Sequence, residues 1–362
     1  MVQISAGDAT SMALTSAGGV YLWGSGGVEW GMEHLWSPYR VRLFPHSARF
    51  VKVSAGAFIA AALSSAGEVY RWGHSDLSLL RLKHPRPARL HLEPLRFPDG
   101  TKINDISLGD EGLLALTPAG TVYAVAVRGR DWFGNGTATG APVAVAGLPP
   151  DASVTRIAAG FSHAAVLTEN GRVWSWGSNC WGQLGDGTTN DSLVPVEAKC
   201  FPDNDPVAEV HPAAGSTAVL TVSGKVYVVG YTELDGKHLG ALGHILPMRR
   251  VTGFPKGTRI VTMSAGPLHW LALDSDGQVW AWGYGGDGAL GDDVVKTRSE
   301  PVLVRGFPRD LEIAQVAAGG RHSLALATDG SMCAWGTNEN AELGIGRREQ
   351  WRQHPTRVQW AQ

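Results

Sequence analysis

The sequence predicts an all-β fold: one seven-bladed β-propeller, with four strands to each blade, filling residues 1–362 as a single domain. Three observations carry that expectation. A unit of 49 to 53 residues recurs seven times, each copy reads as short strands joined by glycine turns, and no window of useful length carries the 3.6-residue apolar stripe of a helix. The unit runs apolar-x-x-apolar-Ala-Ala-Gly-x-x-His, then an apolar alternation, a Gly turn and Val-Trp-x-Trp-Gly. It is clearest at 157–177, 263–283 and 316–336, and weaker at 4–24, 53–73, 106–126 and 210–230. The glycine after the first strand falls at Gly7, Gly56, Gly109, Gly160, Gly266 and Gly319, with Ala213 in the fifth copy. The repeats are expected at approximately 1–49, 50–102, 103–153, 154–206, 207–259, 260–312 and 313–362.

Within a repeat each element has its own signal. Ala164-Ala165-Val166-Leu167-Thr168 and Arg172-Val173-Trp174-Ser175-Trp176 are short β-branched or aromatic runs on either side of Glu169-Asn170-Gly171. The same hairpin recurs at Ser275-Asp276-Gly277 and Thr328-Asp329-Gly330, where the Asn-Gly or Asp-Gly pair supplies the positive φ of a tight turn. A third element follows Trp-Gly, as in Asn179-Cys180-Trp181-Gly182-Gln183-Leu184-Gly185-Asp186-Gly187. A fourth strand starts at a proline: Pro142-Val143, Pro195-Val196 or Pro301-Val302. The ends of the chain suggest closure by a shared blade. Val2 to Ile4 reads as the second strand of the first blade, and Pro355-Thr356-Arg357-Val358-Gln359-Trp360 as its missing first strand, pairing the C-terminal strand with the N-terminal blade.

Composition narrows the function classes. Charged residues are 18%, against about 25% in an average globular chain, and 44% are apolar, enough for a large core. The net charge of −2 argues against a globally basic nucleic-acid binder. No apolar run is long enough for a membrane helix, so no membrane insertion is expected. The start, Met1-Val2-Gln3-Ile4-Ser5, has neither a charged n-region nor an apolar h-region, so no signal peptide is expected. The expected compartment is the cytoplasm, with the nucleus as the alternative. Cys180, Cys200 and Cys333 form no CxxC pair, and neither a disulfide framework nor a cysteine zinc site is expected.

Gly-Phe-Ser-His at 160–163, Glu-Asn-Gly-Arg-Val-Trp-Ser-Trp-Gly at 169–177 and Asn-Cys-Trp-Gly-Gln-Leu-Gly-Asp-Gly at 179–187 resemble the repeat of the regulator of chromosome condensation family. The copies at 260–292 and 313–346 match nearly as well, and the resemblance covers essentially the whole chain. It implies a seven-bladed propeller serving as a nucleotide-exchange factor for a small GTPase, an adaptor, an enzyme inhibitor or a light sensor. A shared scaffold does not choose among these. Exchange factors of the family insert a β-hairpin wedge, whereas copies three to six here keep near-uniform spacing, and the basic N-terminal tail of the chromatin-binding members is absent. The light-sensing version places Trp directly after the blade glycine. Here Phe161, Pro267 and Gly320 stand in that place.

Candidate site residues separate into structural and exposed groups. His163, His269 and His322 share one repeat position, as do Trp23, Trp72, Trp176, Trp282 and Trp335. Sevenfold-related positions lie too far apart to act together. The histidines are therefore expected to hydrogen-bond backbone within their own blades, and the tryptophans to wedge between blades. No catalytic constellation, metal site or cofactor is expected. Gly283-Tyr284-Gly285-Gly286-Asp287-Gly288 mimics a dinucleotide motif without the helix that would hold a pyrophosphate. Asp274-Ser275-Asp276-Gly277 starts like a calcium loop but lacks the later glutamate.

The repeat breaks in three places around the closure point. These segments hold Trp30, Trp36, Arg81, Lys83, Arg86, Arg89, Arg347, Arg348, Trp351 and Arg352. Exposed Trp and Arg anchor protein interfaces, so these ten are candidate partner-binding residues. The plainer reading is loop drift with solvated arginines. The connections between first and second and between third and fourth strands should share one face, which would carry Arg130, Asp131, Trp181, Lys237, Asp287 and Glu339. It should also carry the turns at 147–150 and 253–256, with the loops near Thr188-Thr189-Asn190-Asp191 on the other face. The expected function is non-catalytic binding of another protein, as adaptor or inhibitor, through loops on one face. The alternative is guanine-nucleotide exchange on a small GTPase; a nucleic-acid partner is not expected.

Overall fold

The computed structural model describes residues 1–25, 35–57, 59–73, 92, 94–126, 140–150, 152–202, 204–231 and 248–360. Seven antiparallel sheets follow one another along the chain as blades. The first holds Gln3–Ala6, Thr10–Leu14, Val20–Gly24 and Leu35–Arg40, and the fourth holds Val154–Ala159, His163–Thr168, Val173–Gly177 and Ser192–Glu197. Six sheets show four strands. The second shows Phe50–Ala55, Ile59–Ser64 and Val69–Gly73, extended by an isolated bridge between Tyr70 and Pro94. No α-helix occurs among the described residues.

Burial explains why each strand has its composition. The second strands of blades, such as His163–Thr168, His269–Asp274 and His322–Ala327, are buried along their whole length and read as unbroken apolar runs. Fourth strands such as Ser192–Glu197 and Trp351–Arg357 are mostly half-buried or exposed and carry charges. Hydrophobic clusters fill the seams between consecutive blades. One joins Leu114, Val122, Ile157 and Trp176 across blades three and four, and another joins Ile4, Trp23, Leu324 and Leu343 across blades seven and one. The hairpin turns differ slightly from expectation. In the 168–171 turn only Gly171 has positive φ (76°), and its amide donates to the Thr168 carbonyl at 2.9 Å. This is a common turn closed by one left-handed glycine rather than a two-residue turn with both residues left-handed.

The expectation of a shared closing blade is corrected. Gln3–Ala6 is the first strand of blade one, not its second, and that blade draws all four strands from the N-terminal end. The last strand, Trp351–Arg357, pairs with Met332–Thr337 inside blade seven. The seam between blades seven and one is instead stitched as the other seams are, by side chains reaching across to backbone. The Gln315 amide accepts from the Ile4 N–H (3.0 Å) and donates to the Ile4 carbonyl (3.2 Å), as Gln3 does with Val53 between blades one and two. The tail beyond the last strand packs on blade one by aromatic contact, Trp360 lying edge-on to Tyr21 and Trp23. The repeat signal could not separate a docked tail from a paired strand, because both are apolar and extended.

The first strands meet at the axis, where the glycine of each repeat lets backbones approach. A methyl group on Gly7 would overlap the Gly56 carbonyl, one on Gly109 the Gly160 carbonyl, and one on Gly266 the Gly319 carbonyl. The obstacle is backbone and cannot turn aside. Gly109→Ala should therefore lower stability by about 1–3 kcal/mol, the usual cost of overpacking, in a urea titration. An unchanged midpoint would mean that the ring breathes freely at this radius.

Candidate interaction faces

The seams are built first by histidine. The Nε2 atoms of His163, His269 and His322 lie 2.8, 2.8 and 2.9 Å from the hydroxyls of Thr217, Ser323 and Ser11, each belonging to the next blade. Each hydroxyl donates its one proton to a loop carbonyl of the histidine's own blade: Gln183 (2.7 Å), Ala289 (2.9 Å) and Glu342 (2.8 Å). The imidazole must then donate through Nε2, which leaves Nδ1 unprotonated, buried and without a hydrogen-bond partner among the described residues. Burial holds these imidazoles neutral, lowering their pKa to about 3, about 4 and about 3 for His163, His269 and His322. The expectation of bonds within one blade is thus corrected: the histidines bridge two blades. Each ring is fully buried and its donor is committed to the neighbouring blade.

The tryptophans complete the same clasp. Trp23 Nε1 donates to the Glu342 carbonyl (2.7 Å) and Trp335 Nε1 to the Ala289 carbonyl (2.9 Å), the oxygens that already accept from Ser11 and Ser323. Trp72, Trp176 and Trp282 are likewise buried. The recurrent Leu-Gly loop is therefore part of the scaffold. Asn179 organises it in blade four, its amide donating to the carbonyls of Thr188 (3.1 Å) and Asn190 (3.0 Å) while its oxygen accepts from the Leu184 N–H (2.9 Å). Asn338 accepts from Leu343 N–H in blade seven in the same way (3.0 Å).

Strand direction assigns the faces. The first-to-second and third-to-fourth connections emerge together as a loop face, and the hairpins emerge on the opposite face. Trp181, Asp287 and Glu339 lie on the loop face, while Arg130, Asp131 and Lys237 lie outside the described residues. Two placements are corrected. The 188–191 segment belongs to the third-to-fourth connection, tied to Asn179, and so lies on the loop face. The turns at 147–150 and 253–256 follow fourth strands, which puts them on the hairpin face.

The loop face carries an apolar arc. Phe161, Trp181 and Leu268 are 41%, 36% and 37% exposed, and all sit in such connections of blades four and six. Trp181 is held from behind: its ring lies 4.8 Å from that of Tyr231 and packs on Gly215, whose lack of a side chain makes the room. Beside the arc, the Arg321 guanidinium lies over Tyr284, 5.7 Å from the ring centre, and 3.8 Å from Asp287. At the axis, a cavity of about 70 Å³ is lined by Gly56, Gly109, Phe161 and Pro267. Small-molecule sites usually take about 300–1,000 Å³, so this one suits water rather than a ligand. The sequence reading did not single out Leu268, Tyr231 or Arg321. For Leu268 and Arg321 the available signal was the place immediately before the recurrent histidine, where a side chain must face solvent.

Of the ten patch candidates, Trp36, Arg347, Arg348, Trp351 and Arg352 are described, whereas Trp30, Arg81, Lys83, Arg86 and Arg89 lie outside the described residues. Trp36 and Trp351 stand near the starts of fourth strands, at the outer rim of the loop face. The two blades meet there, the Gly346 N–H donating to the Trp36 carbonyl (2.8 Å). Arg347 and Arg352 share Glu349, which offsets part of their charge; Arg348 is exposed. Among the described residues no group of three His, Cys, Asp or Glu could hold a metal ion, and no helix is long and apolar enough to cross a membrane.

The Regulator of chromosome condensation (RCC1) repeat model matches residues 170–220 and 276–326, and a second model of that repeat matches 154–183, 260–289 and 313–341. The chain is 32% identical over 259 residues to the Ultraviolet-B receptor UVR8 of Arabidopsis thaliana, covering 70% of this chain and 57% of that one. It is also 32% identical over 260 residues to the E3 ubiquitin-protein ligase HERC2 of Homo sapiens, covering 68% of this chain but 5% of the ligase. The match thus spans little more than half of the plant protein and a small part of the human one. Among solved structures, Prp20p from Saccharomyces cerevisiae superposes with a TM-score of 0.77 at 22% identity, over 96% of this chain and 87% of that one. Human WBSCR16 superposes with a TM-score of 0.73 at 22% identity, over 89% and 85%.

Proposed function

Since this chain is built from regulator of chromosome condensation repeats, we propose that it works as a protein-interaction propeller of adaptor or inhibitor type, binding a partner protein through its loop face. The observation that carries this reading is the exposed arc of Phe161, Trp181 and Leu268, presented by a framework that the inter-blade clasps hold rigid. Large apolar side chains fixed in place and rimmed by polar groups bind protein well, because little conformational freedom is lost on docking. The rim at blades seven and one, with Trp36, Trp351 and Arg348, stands on the same face.

The triple variant Phe161→Ala, Trp181→Ala, Leu268→Ala should retain its thermal midpoint within a few degrees and lose the partner that wild type retains in cross-linking and affinity capture from the native host. Arg348→Ala should weaken capture less and leave stability within about 0.5 kcal/mol. Partner retention by the triple variant would move the binding site off the loop face. The fold shared with Prp20p, described with its binding to Gsp1p and histones, supports a second reading: guanine-nucleotide exchange on a small GTPase. Faster release of fluorescent nucleotide by wild type, abolished in the triple variant, would replace the adaptor reading. No acceleration across a broad GTPase panel would remove exchange.

A further inference from the structure

On the hairpin face, at the seam between blades one and two, lies a cleft of about 250 Å³. Its walls are the end of the 15–19 hairpin and the connector 41–49 that leads into blade two. Its floor is rigid: Phe44 packs on Phe50 at 4.2 Å and edge-on against Tyr70 and Trp72 at 5.6 and 5.3 Å. Val20, Val41 and Ala48 complete an apolar bed. The rim is basic. Arg40, Arg42 and His46 are exposed and line the opening, no lining residue is acidic, and none of the three forms an ion pair among the described residues.

The rest of the ring shows what is unusual here. A Phe-Pro or Leu-Pro pair marks the corresponding connectors at 44–45, 97–98, 148–149, 201–202, 254–255 and 307–308. In the connector into blade seven that pair is followed by Arg309 and Asp310, and Asp310 pairs with Arg357 at 2.7 Å. Arg357 occupies in blade seven the register position that Arg40 occupies in blade one: each faces the second residue of its third strand, Cys333 and Tyr21. The connector that borders Arg40 is the one leaving blade one, and after Phe44-Pro45 it runs His46-Ser47-Ala48-Arg49, which brings no carboxylate to Arg40 or Arg42.

We propose that this cleft is a second binding site, for an acidic linear peptide segment that seats one apolar side chain on the Phe44 floor and sets its carboxylates against Arg40 and Arg42. The size decides the occupant: about 250 Å³ falls below the range for a drug-sized molecule and suits one or two anchoring side chains. The chemistry decides the sign. A planar guanidinium takes a carboxylate through two parallel hydrogen bonds, and two such groups flanking an apolar bed select acid–aromatic–acid over either feature alone. The site lies on the face opposite the Phe161–Trp181–Leu268 arc and stands or falls independently of it.

The test is fluorescence anisotropy of a labelled twelve-residue peptide of alternating Asp and Glu with one central Phe, titrated with the full chain. Binding should weaken with salt, and by about tenfold or more in the Arg40→Glu, Arg42→Glu double variant, as for a desolvated charge pair lost. Replacing the central Phe by Gly, or filling the cleft by Ala48→Trp, should weaken it by about tenfold even though all charges remain. Thermal midpoints within a few degrees of wild type confirm that the variants fold; if Ala48→Trp does not, the Phe-to-Gly peptide still tests the cleft. Equal binding of the Gly peptide would overturn the cleft in favour of plain charge attraction. Displacement by inorganic phosphate at equal concentration would make the arginines a simple anion site, and the absence of any binding up to millimolar protein would end the proposal.

Discussion

Acidification from pH 7 to pH 5 should remove about 6 kcal/mol of stability, because His163, His269 and His322 together refuse protons in the native state that they accept when unfolded. The sign follows from the cause. Burial lowers their pKa to about 3 or 4, so stability is fully present above the unfolded value near 6.5 and is lost as pH falls from there toward 4. Each histidine contributes about 1.4 kcal/mol per pH unit inside that window, and the three together about 4. Against a typical stability of about 5–15 kcal/mol the change is large enough to bring unfolding near pH 5. Geometry makes the same point: an imidazolium would need an acceptor for Nδ1–H, and none is present among the described residues. Glu342, whose carboxyl burial pushes upward, works in the opposite direction, but it is one group against three. Urea titrations at half-unit steps from pH 8 to 5 would measure the slope. His322→Gln should lower stability at pH 8 yet reduce the slope below pH 6.5 by about a third. A slope of one proton or fewer, or one that His322→Gln leaves unchanged, would contradict the clasp.

Trp176→Ala should cost about 3–5 kcal/mol, the range for truncating a large core side chain whose neighbours cannot close the gap. Trp176 is fully buried and fills the seam between blades three and four, among Leu114, Ile157, Ala164 and Val166. Ala164 and Val166 sit on a strand pinned by ladder hydrogen bonds on both sides, so little collapse into the cavity is available. The fifth blade shows what a smaller residue requires. Val229 stands at the tryptophan place there, and the volume is made up by Cys200 and Ala198, which converge with it around Gly185. Trp176→Val, which removes most of the ring, should likewise lose much of that energy. Denaturant midpoints at constant m-value would read the loss directly; a cost under 1 kcal/mol would show that the seam is soft.

Much of this molecule was legible in its sequence because the repeat averages out local ambiguity. A single run such as Ala164–Leu167 could be a strand or a buried helix, but seven runs in register with glycine turns and a Trp-Gly terminus leave only a propeller. The same logic singles out His163, His269 and His322, with the five tryptophans, as one repeated set, and the structure buries all eight.

What the sequence could not decide were the relations across seams. That His322 bonds to Ser11 depends on two blades meeting that are 311 residues apart in the chain. The manner of closure was hidden for the same reason: Trp360 docks edge-on against Tyr21 instead of pairing, and an apolar extended tail reads alike in both cases. The exposed arc and the basic cleft are likewise products of assembly. Phe161, Trp181 and Leu268 come to one face, and Arg40 and Arg42 to one rim, only when antiparallel strand order sends their connections to particular ends of the blades. Hydrophobic periodicity determines which side of a strand is buried. Which loops then share a face, and which charges find no partner, is settled by the packing of blade against blade.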